Sequence, residues 1–455
     1  MHRSPAARIA TATNLGGRAT PGLRRGVLKQ VCVLTNANGR LIMTGRPYLP
    51  LRLAAVICGL GFVCAGQTQT TTDPASQPQA EPKPWLELYG FAMLDAGYDF
   101  KQVDPNWFDV LRTTKLPSYS HQFGANGNSY WSVRQTRFGA KSEVPTSVGT
   151  LKTIFEFELL GTGPNAGQTT FRLRHAWGEL GHFAGGQYWS AFVDPDAFPN
   201  TVEYWGPPGL IWFRNVQFRW TPIMGESHLV LALERPGASA DGGIYADRIE
   251  LQGIKPHFPA PDFTGNGRLG RKWGHIQAGW ALRRIEWSNA GSGQPNISNG
   301  VWGWGFNLSS NLKTHENGTI RTQVLYGRGI ENYMNDAPVD VGTATNPANS
   351  ATPIAGRALP VLGFSAYYDI YWSKKFSSTF GYSRIKIDNT SGENPSDFRV
   401  GQYASTNLLF YPVKNAMAGA EFIYGYRRNY TDHFHVPDYR IQFSFKYNFS
   451  FRIGG

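Results

Sequence analysis

The chain has 455 residues, of which 41% are hydrophobic and 14% aromatic, and carries a formal charge of +12. No stretch reaches the roughly 20 consecutive apolar residues that a membrane-crossing helix needs, which excludes a helical membrane protein. All three cysteines, Cys32, Cys58 and Cys64, fall in the first 65 residues, so the remainder can be neither a disulfide-stapled domain nor a thiolate metal site.

Residues 1–65 read as a leader. Leu51–Ala65 is a short apolar run with Arg46 and Arg52 before or beside it, and Val63-Cys64-Ala65 resembles a small-residue cleavage site. A mature start near Gly66 is expected. Met43 lies at normal signal-peptide distance, so residues 1–42 are either an overcalled start or a long n-region. Phe62 and Val63 are too bulky to precede a lipidated Cys64 comfortably. The leader holds nine basic residues and no acid, so its removal takes the charge from +12 to +3. The alkaline pI then says little about partners, and nucleic-acid binding loses its support. Residues 66–84 are a polar, Pro-rich linker without a heptad.

From Trp85 onward the chain reads as strands: 85–98, 131–144, 149–160, 169–181, 182–190, 210–221, 227–235, 261–270, 273–287, 300–312, 318–328, 361–373, 377–388, 399–411, 416–428 and 439–453. Leu151, Thr153, Phe155, Phe157 and Leu159 oppose Lys152, Glu156 and Glu158. Trp302, Trp304, Phe306 and Leu308 oppose Gly303, Gly305, Asn307 and Ser309. Such a period of two fits a strand with one apolar face and no helix. The last stretch is the clearest. Phe443, Phe445, Tyr447, Phe449 and Phe451 alternate with Ser444, Lys446, Asn448, Ser450 and Arg452. Thirteen residues is long for a soluble strand, usually about 5–6, and suits one tilted across a bilayer, roughly 9–11. A long edge strand of a secreted sandwich is the competing reading of that segment alone.

The connections decide between them, because they alternate in length. Short ones (Pro145–Val148, Gly270–Lys272, Pro412–Asn415) take turns with long ones (101–130, 191–209, 236–260, 329–360). Short periplasmic turns and long outer loops mark an outer-membrane barrel, and a sandwich has no reason to sort its loops this way. The expected fold is all-β: a transmembrane antiparallel up-and-down β-barrel of 16 strands over 85–455, closed by the last strand. Within 236–260, Arg248–Lys255 also alternates and reads as a strand or an ordered loop hairpin. A barrel of this kind belongs in the outer membrane of a Gram-negative bacterium. Lipid and lipopolysaccharide surround it, and periplasmic chaperones and the barrel-assembly machinery act in its biogenesis.

Sixteen strands enclose a channel too wide for side chains to fill. The third long loop, Ala191–Gly209, combines stiffening prolines, aromatics able to pack on a wall, and three carboxylates, Asp194, Asp196 and Glu203. It is expected to fold inward as a constriction; a surface loop or a subunit contact is the plainer alternative. Facing it, the polar faces of the strands carry Arg137, Lys141, Arg172, Arg174, Arg219, Arg283 and Arg321. A basic wall facing an acidic loop sets up a field that sorts charged solutes, and arginine's fork suits carboxylates. The same arginines can instead pair with Glu156 and Glu158 to stiffen the wall.

Several segments resemble the DcaP-type outer-membrane porins. They are Phe108–Pro117 in the first loop, Arg137-Phe138-Gly139, Phe171–Leu180, Gly186–Ser190, Asp194–Pro199 with Gly206-Pro207, Asn407–Pro412, and Gly419–Phe422. The resemblance runs from about Trp85 to the end and is most specific in the first half. It implies a sixteen-stranded homotrimer that admits small hydrophilic solutes passively, with dicarboxylates and other anions as the associated class. Some members carry an N-terminal coiled coil; residues 67–84 cannot form one, so a trimer here would rest on the barrel walls.

An outer-membrane barrel enzyme is the main rival, and a structural or adhesin barrel without an open channel the second. Nine histidines follow the leader, but no G-x-S-x-G or H-E-x-x-H accompanies them. Asp432, His433 and His435 read as a solvated loop or, less simply, a metal site. No catalytic residue, cofactor or metal is expected.

Overall fold

In the computed structural model the described residues are 83–241, 243–248, 251–288, 298–350 and 352–455. The expected leader with its expected cleavage site, and residues 66–82, lie outside them. Sixteen strands form the wall: β1 Trp85–Asp99; β2, in two pieces, Asn128–Ser132 and Arg137–Thr146; β3 Gly149–Leu160; β4 Thr169–Leu180; β5 Phe183–Trp189; β6 Arg214–Ile223; β7 His228–Glu234; β8 Asp262–Arg271; β9 Gly274–Ser288; β10 Asn299–His315; β11 Gly318–Arg328; β12 Pro360–Tyr371; β13 Phe376–Ile387; β14 Phe398–Phe410; β15 Ala416–Asn429; and β16 His435–Gly454. Each pairs antiparallel with its chain neighbours. β1 pairs with β16 from Trp85 opposite Gly454 to Asp99 opposite Arg440, which closes the barrel and leaves no edge.

The burial pattern is inside-out relative to a soluble protein. Along β16, Arg440, Gln442 and Ser444 are buried while Phe443, Phe445, Tyr447 and Phe451 are exposed. The same holds for Phe155, Phe218, Phe306, Leu308 and Phe380 on other strands. Polar groups line an interior and large apolar groups face out, as lipid on one side and water on the other require.

Three departures from strict alternation shape the interior. β2 breaks at 133–136, where the Thr136 amide closes a turn onto the Val133 carbonyl (2.9 Å) and Arg134 turns inward to Asp109. β4 carries a bulge. Glu156 faces His175 and Phe157 faces Leu173, so Arg174 is the extra residue. The bulge buries Arg174 and His175 together on the inner side. Finally, the segment 236–260 forms a 3-10 turn at Gly243–Tyr245 and a three-residue strand, Lys255–His257, laid against the outer end of β9. Its described part adds no wall strand. The sixth long loop contains a small hairpin of its own, Val341–Thr345 with Ile354–Ala358.

A candidate permeation site beneath the third loop

The third loop crosses the lumen and runs round its inner wall. It leaves β5 at Ser190, whose hydroxyl donates to Glu234 on β7 (2.8 Å). Phe192 and Val193 are fully enclosed and pack with Ile330 and Tyr333 of the sixth loop. Asp194 then accepts from Arg268 on β8 (2.6 Å), His275 Nε2 on β9 (2.8 Å) and Ser309 on β10 (2.6 Å). Further along, the Asn200 carbonyl accepts from Asn407 on β14 (2.9 Å). The Val202 amide donates to Glu421 on β15 (2.8 Å), and its carbonyl accepts from Gln135 and from Gln442 on β16. Tyr204 reaches Glu158 and Arg174 on β3 and β4. Gly209 returns against β12 and β13, its amide donating to Ser383 (2.9 Å). A Cβ there would lie 2.4 Å from the Phe364 carbonyl oxygen, so only glycine fits so close to the wall.

The first and sixth loops join it. Asp109 pairs with Arg134 (2.6 Å), and Leu111 packs on Tyr403 and Ile423. Arg112 of the first loop bonds Asp336 of the sixth (3.0 Å) while lying over the rings of Trp107 (4.3 Å) and Trp205 (4.1 Å). One guanidinium thereby ties three loops together.

The basic wall resolves into groups with different surroundings. Arg137, Arg172 and Arg174 converge, with Arg214, on Glu156 and Glu158. Arg174 bonds Glu156 at 2.6 Å, whereas Arg137 stands 3.6 Å from Glu158 and Arg214 3.8 Å. The cluster holds four cations and two anions. Glu158 is the deepest member: its side chain is 0% exposed, against 25% for Arg137 and 21% for Arg172. Lys141 lies apart, with Glu87 (3.2 Å). Arg219 bonds the Trp189 carbonyl (2.6 Å) and Gln217. Arg283 is buried between Asp262 (3.1 Å) and Asp340 (3.0 Å), where it fastens the sixth loop. Arg321 pairs with Asp369 and also holds the Asp196 carbonyl.

The three loop carboxylates are likewise unequal. Asp194 and Glu203 are buried between loop and wall, and Asp196 is half exposed beside Arg268. Glu203 accepts from the amides of Leu111 (3.0 Å) and Gly206 (2.5 Å) and from Tyr403 (3.2 Å). Burial pushes its carboxyl above the ordinary range, against the pull of Arg440 and these amides. Burial acts the same way on Asp194, but the His275 hydrogen bond and Arg268 outweigh it and hold that carboxyl below the ordinary range.

Between loop and wall lies a chamber of about 410 Å³ lined by Arg137, Arg174, Tyr204 and Lys446, with apolar surface from Phe91, Phe198 and Trp212. Arg214, Arg268, Tyr204 and Lys446 are the contributors that sequence reasoning missed. Lys446 carried a signal, since it is the basic residue in the middle of the polar face of the last strand. Tyr204 carried none.

Asp194, Asp196 and His275 are the one potential metal-ligand group among the described residues, their ligand atoms lying within 4.8 Å of one another. The Arg268 guanidinium already bonds both carboxylates at 2.6 Å, so a cation occupies that place. Asp432, His433 and His435 are not gathered around a common point: Asp432 accepts from Asn429 and the Phe434 amide.

A closed sixteen-strand wall with an apolar exterior, a polar lumen and an inward loop defines an outer-membrane channel of the porin class, in the outer membrane of a Gram-negative bacterium. Residues 62–274 match the model of the DcaP outer membrane protein family. Among solved structures, the outer membrane channel DcaP of Acinetobacter baumannii is similar with a TM-score of 0.67 at 19% identity, covering 81% of this chain and 99% of that one. An anion-selective porin from Comamonas acidovorans follows at 0.52 and 8% identity, covering 81% and 100%. A Salmonella typhi OmpF in complex with daunomycin stands at 0.50 and 10%, covering 80% and 97%. At these identities the likeness is one of fold. No curated protein sequence matches the chain.

Proposed function

We propose that this porin favours small anions, dicarboxylates among them, and that they pass through the chamber beneath the third loop. The observation that carries this reading is the order of charges along the passage. The side chains of Arg137 and Arg172 are partly exposed while Glu158, which pairs with them, is sealed off. The acid in the chamber lining itself, Glu203, is also buried. A solute therefore meets cations first, in a confined space where water screens poorly. A dicarboxylate finds arginine forks at one wall, the Lys446 ammonium at another and apolar surface for its middle. The family resemblance points the same way.

Succinate added to an open channel is expected to interrupt single-channel current, and Arg137→Gln to shorten those interruptions several-fold. Equal currents with and without succinate would sink the dicarboxylate assignment. Replacing Arg172 and Arg174 together by alanine is expected to lower anion preference in whatever fraction still folds. Because it strands Glu156 and Glu158, a loss of folding from that double variant would mark the pair as wall braces above all.

We also read the protein as a channel rather than an enzyme, as a homotrimer joined through its barrel walls, and as secreted with cleavage near Gly66. Cross-linking in native membranes and N-terminal sequencing of the mature protein test the last two.

A further inference from the structure

The geometry points to a second anion site in series with the chamber, a lysine basin at the periplasmic mouth that gives the channel a salt-dependent, one-sided selectivity. This rests on the anion-channel reading above and extends it to a place that reading does not use.

The turn between β12 and β13 presents Lys374 and Lys375, and the turn between β14 and β15 presents Lys414. Together with Lys446 they line one basin of about 560 Å³ whose lining contains no carboxylate. Among the described residues none of the four has an ion-pair partner, in contrast to Arg137, Arg172, Arg174 and Arg283, all of which do. The two turns are held together, so the lysines are presented as a group. The Tyr411 amide donates to the Lys375 carbonyl (2.9 Å), the Tyr411 hydroxyl meets Ser377 (3.1 Å), and Asn448 bonds the Asn415 carbonyl. Tyr411, Met417 and Lys446 line both this basin and the chamber above it. The two spaces therefore adjoin, with Lys446 between the paired arginines and the free lysines.

Four uncompensated cations around a concave mouth concentrate anions there. The ligand class is a small multivalent anion such as a carboxylate, recognised by charge rather than by a fixed fork, since ammonium groups on flexible stems set no geometry. Charges this exposed act only as far as screening allows, about 10 Å at 0.1 M salt and about 3 Å at 1 M. The basin should matter in dilute salt and vanish in concentrated salt, while the confined arginine chamber is less sensitive.

The test uses the mature protein in planar bilayers under KCl gradients. Compared are wild type, the triple variant Lys374→Gln, Lys375→Gln and Lys414→Gln, and the matching triple Lys→Arg variant. These turn side chains are exposed, and Lys446 is left in place. The expected result is an anion-over-cation permeability ratio about two-fold lower in the Gln triple near 0.1 M, no difference at 1 M, and a wild-type ratio in the Arg triple. The asymmetry of the current–voltage curve of single insertions should shrink in parallel. A Gln triple identical to an anion-selective wild type at both salts would overturn the basin and leave the chamber reading standing. A wild type without anion selectivity would overturn the chamber reading itself.

Discussion

The two ends of the third loop are fastened by opposite means. At Asp194 a buried carboxylate sits among Arg268, His275 and Ser309, and the His275 hydrogen bond together with the Arg268 charge more than offsets its burial. At Glu203 a carboxylate just as buried has no cation within ion-pair distance among the described residues and is held by the amides of Leu111 and Gly206 and by Tyr403. One anchor is a charge lock, the other a hydrogen-bond cage. The difference teaches that the loop's acids serve first to attach it. The charge offered to a solute is set by what is left unburied, which is mostly basic.

Substitutions can pull the two anchors apart. The largest effect is expected from Asp194→Ala, which strands Arg268 and frees the loop's first half. Breaking a buried ion pair costs about 3–5 kcal/mol, and conductance should rise and become noisy, with new protease cleavage within 191–209. Glu203→Gln keeps the shape but turns an amide N–H toward a backbone donor, at a cost of about 1–3 kcal/mol; a shift in the denaturation midpoint without added current noise is expected. Ser309→Ala removes one of the three side-chain partners of Asp194 and should cost about 1 kcal/mol. Equal noise from Asp194→Ala and Glu203→Gln would erase the distinction between the anchors.

Acid should separate them further, by the smallest effect. The carboxyl of Asp194 is lowered by folding, so its contribution to stability is full above the unfolded value, about 3.9, and is lost only as pH falls through the still lower folded one. Glu203 is raised, so its protonation sets in first and favours the folded state. Acidification from neutral to about pH 4 should therefore leave the loop in place, with current noise appearing only below that. Noise that grows steadily from pH 7 downward would contradict this assignment.

Much of the fold was legible because a barrel writes itself in period two. Phe443 to Phe451 face outward, and the alternation of short and long connections counts the strands. The inward course of the third loop was legible too, in its prolines, aromatics and acids. What the sequence hid was pairing at long range. Arg137 and Arg283 look alike on their strands, yet one borders the passage and the other is sealed by Asp262 and Asp340 from distant segments. The bond from Arg112 to Asp336 spans 224 residues, and nothing local announces it or the inward folding of the first and sixth loops. The bulge at Arg174 was equally silent, since one inserted residue leaves the hydrophobic pattern on either side intact.

The reversal potential of the purified mature protein in a planar bilayer under a KCl gradient tests the central claim most directly, because it reports the sign of the charge that solutes meet. A potential favouring chloride is the predicted result. A potential favouring potassium would mean that the carboxylates, not Arg137, Arg174 and Lys446, govern the passage, and would contradict the account.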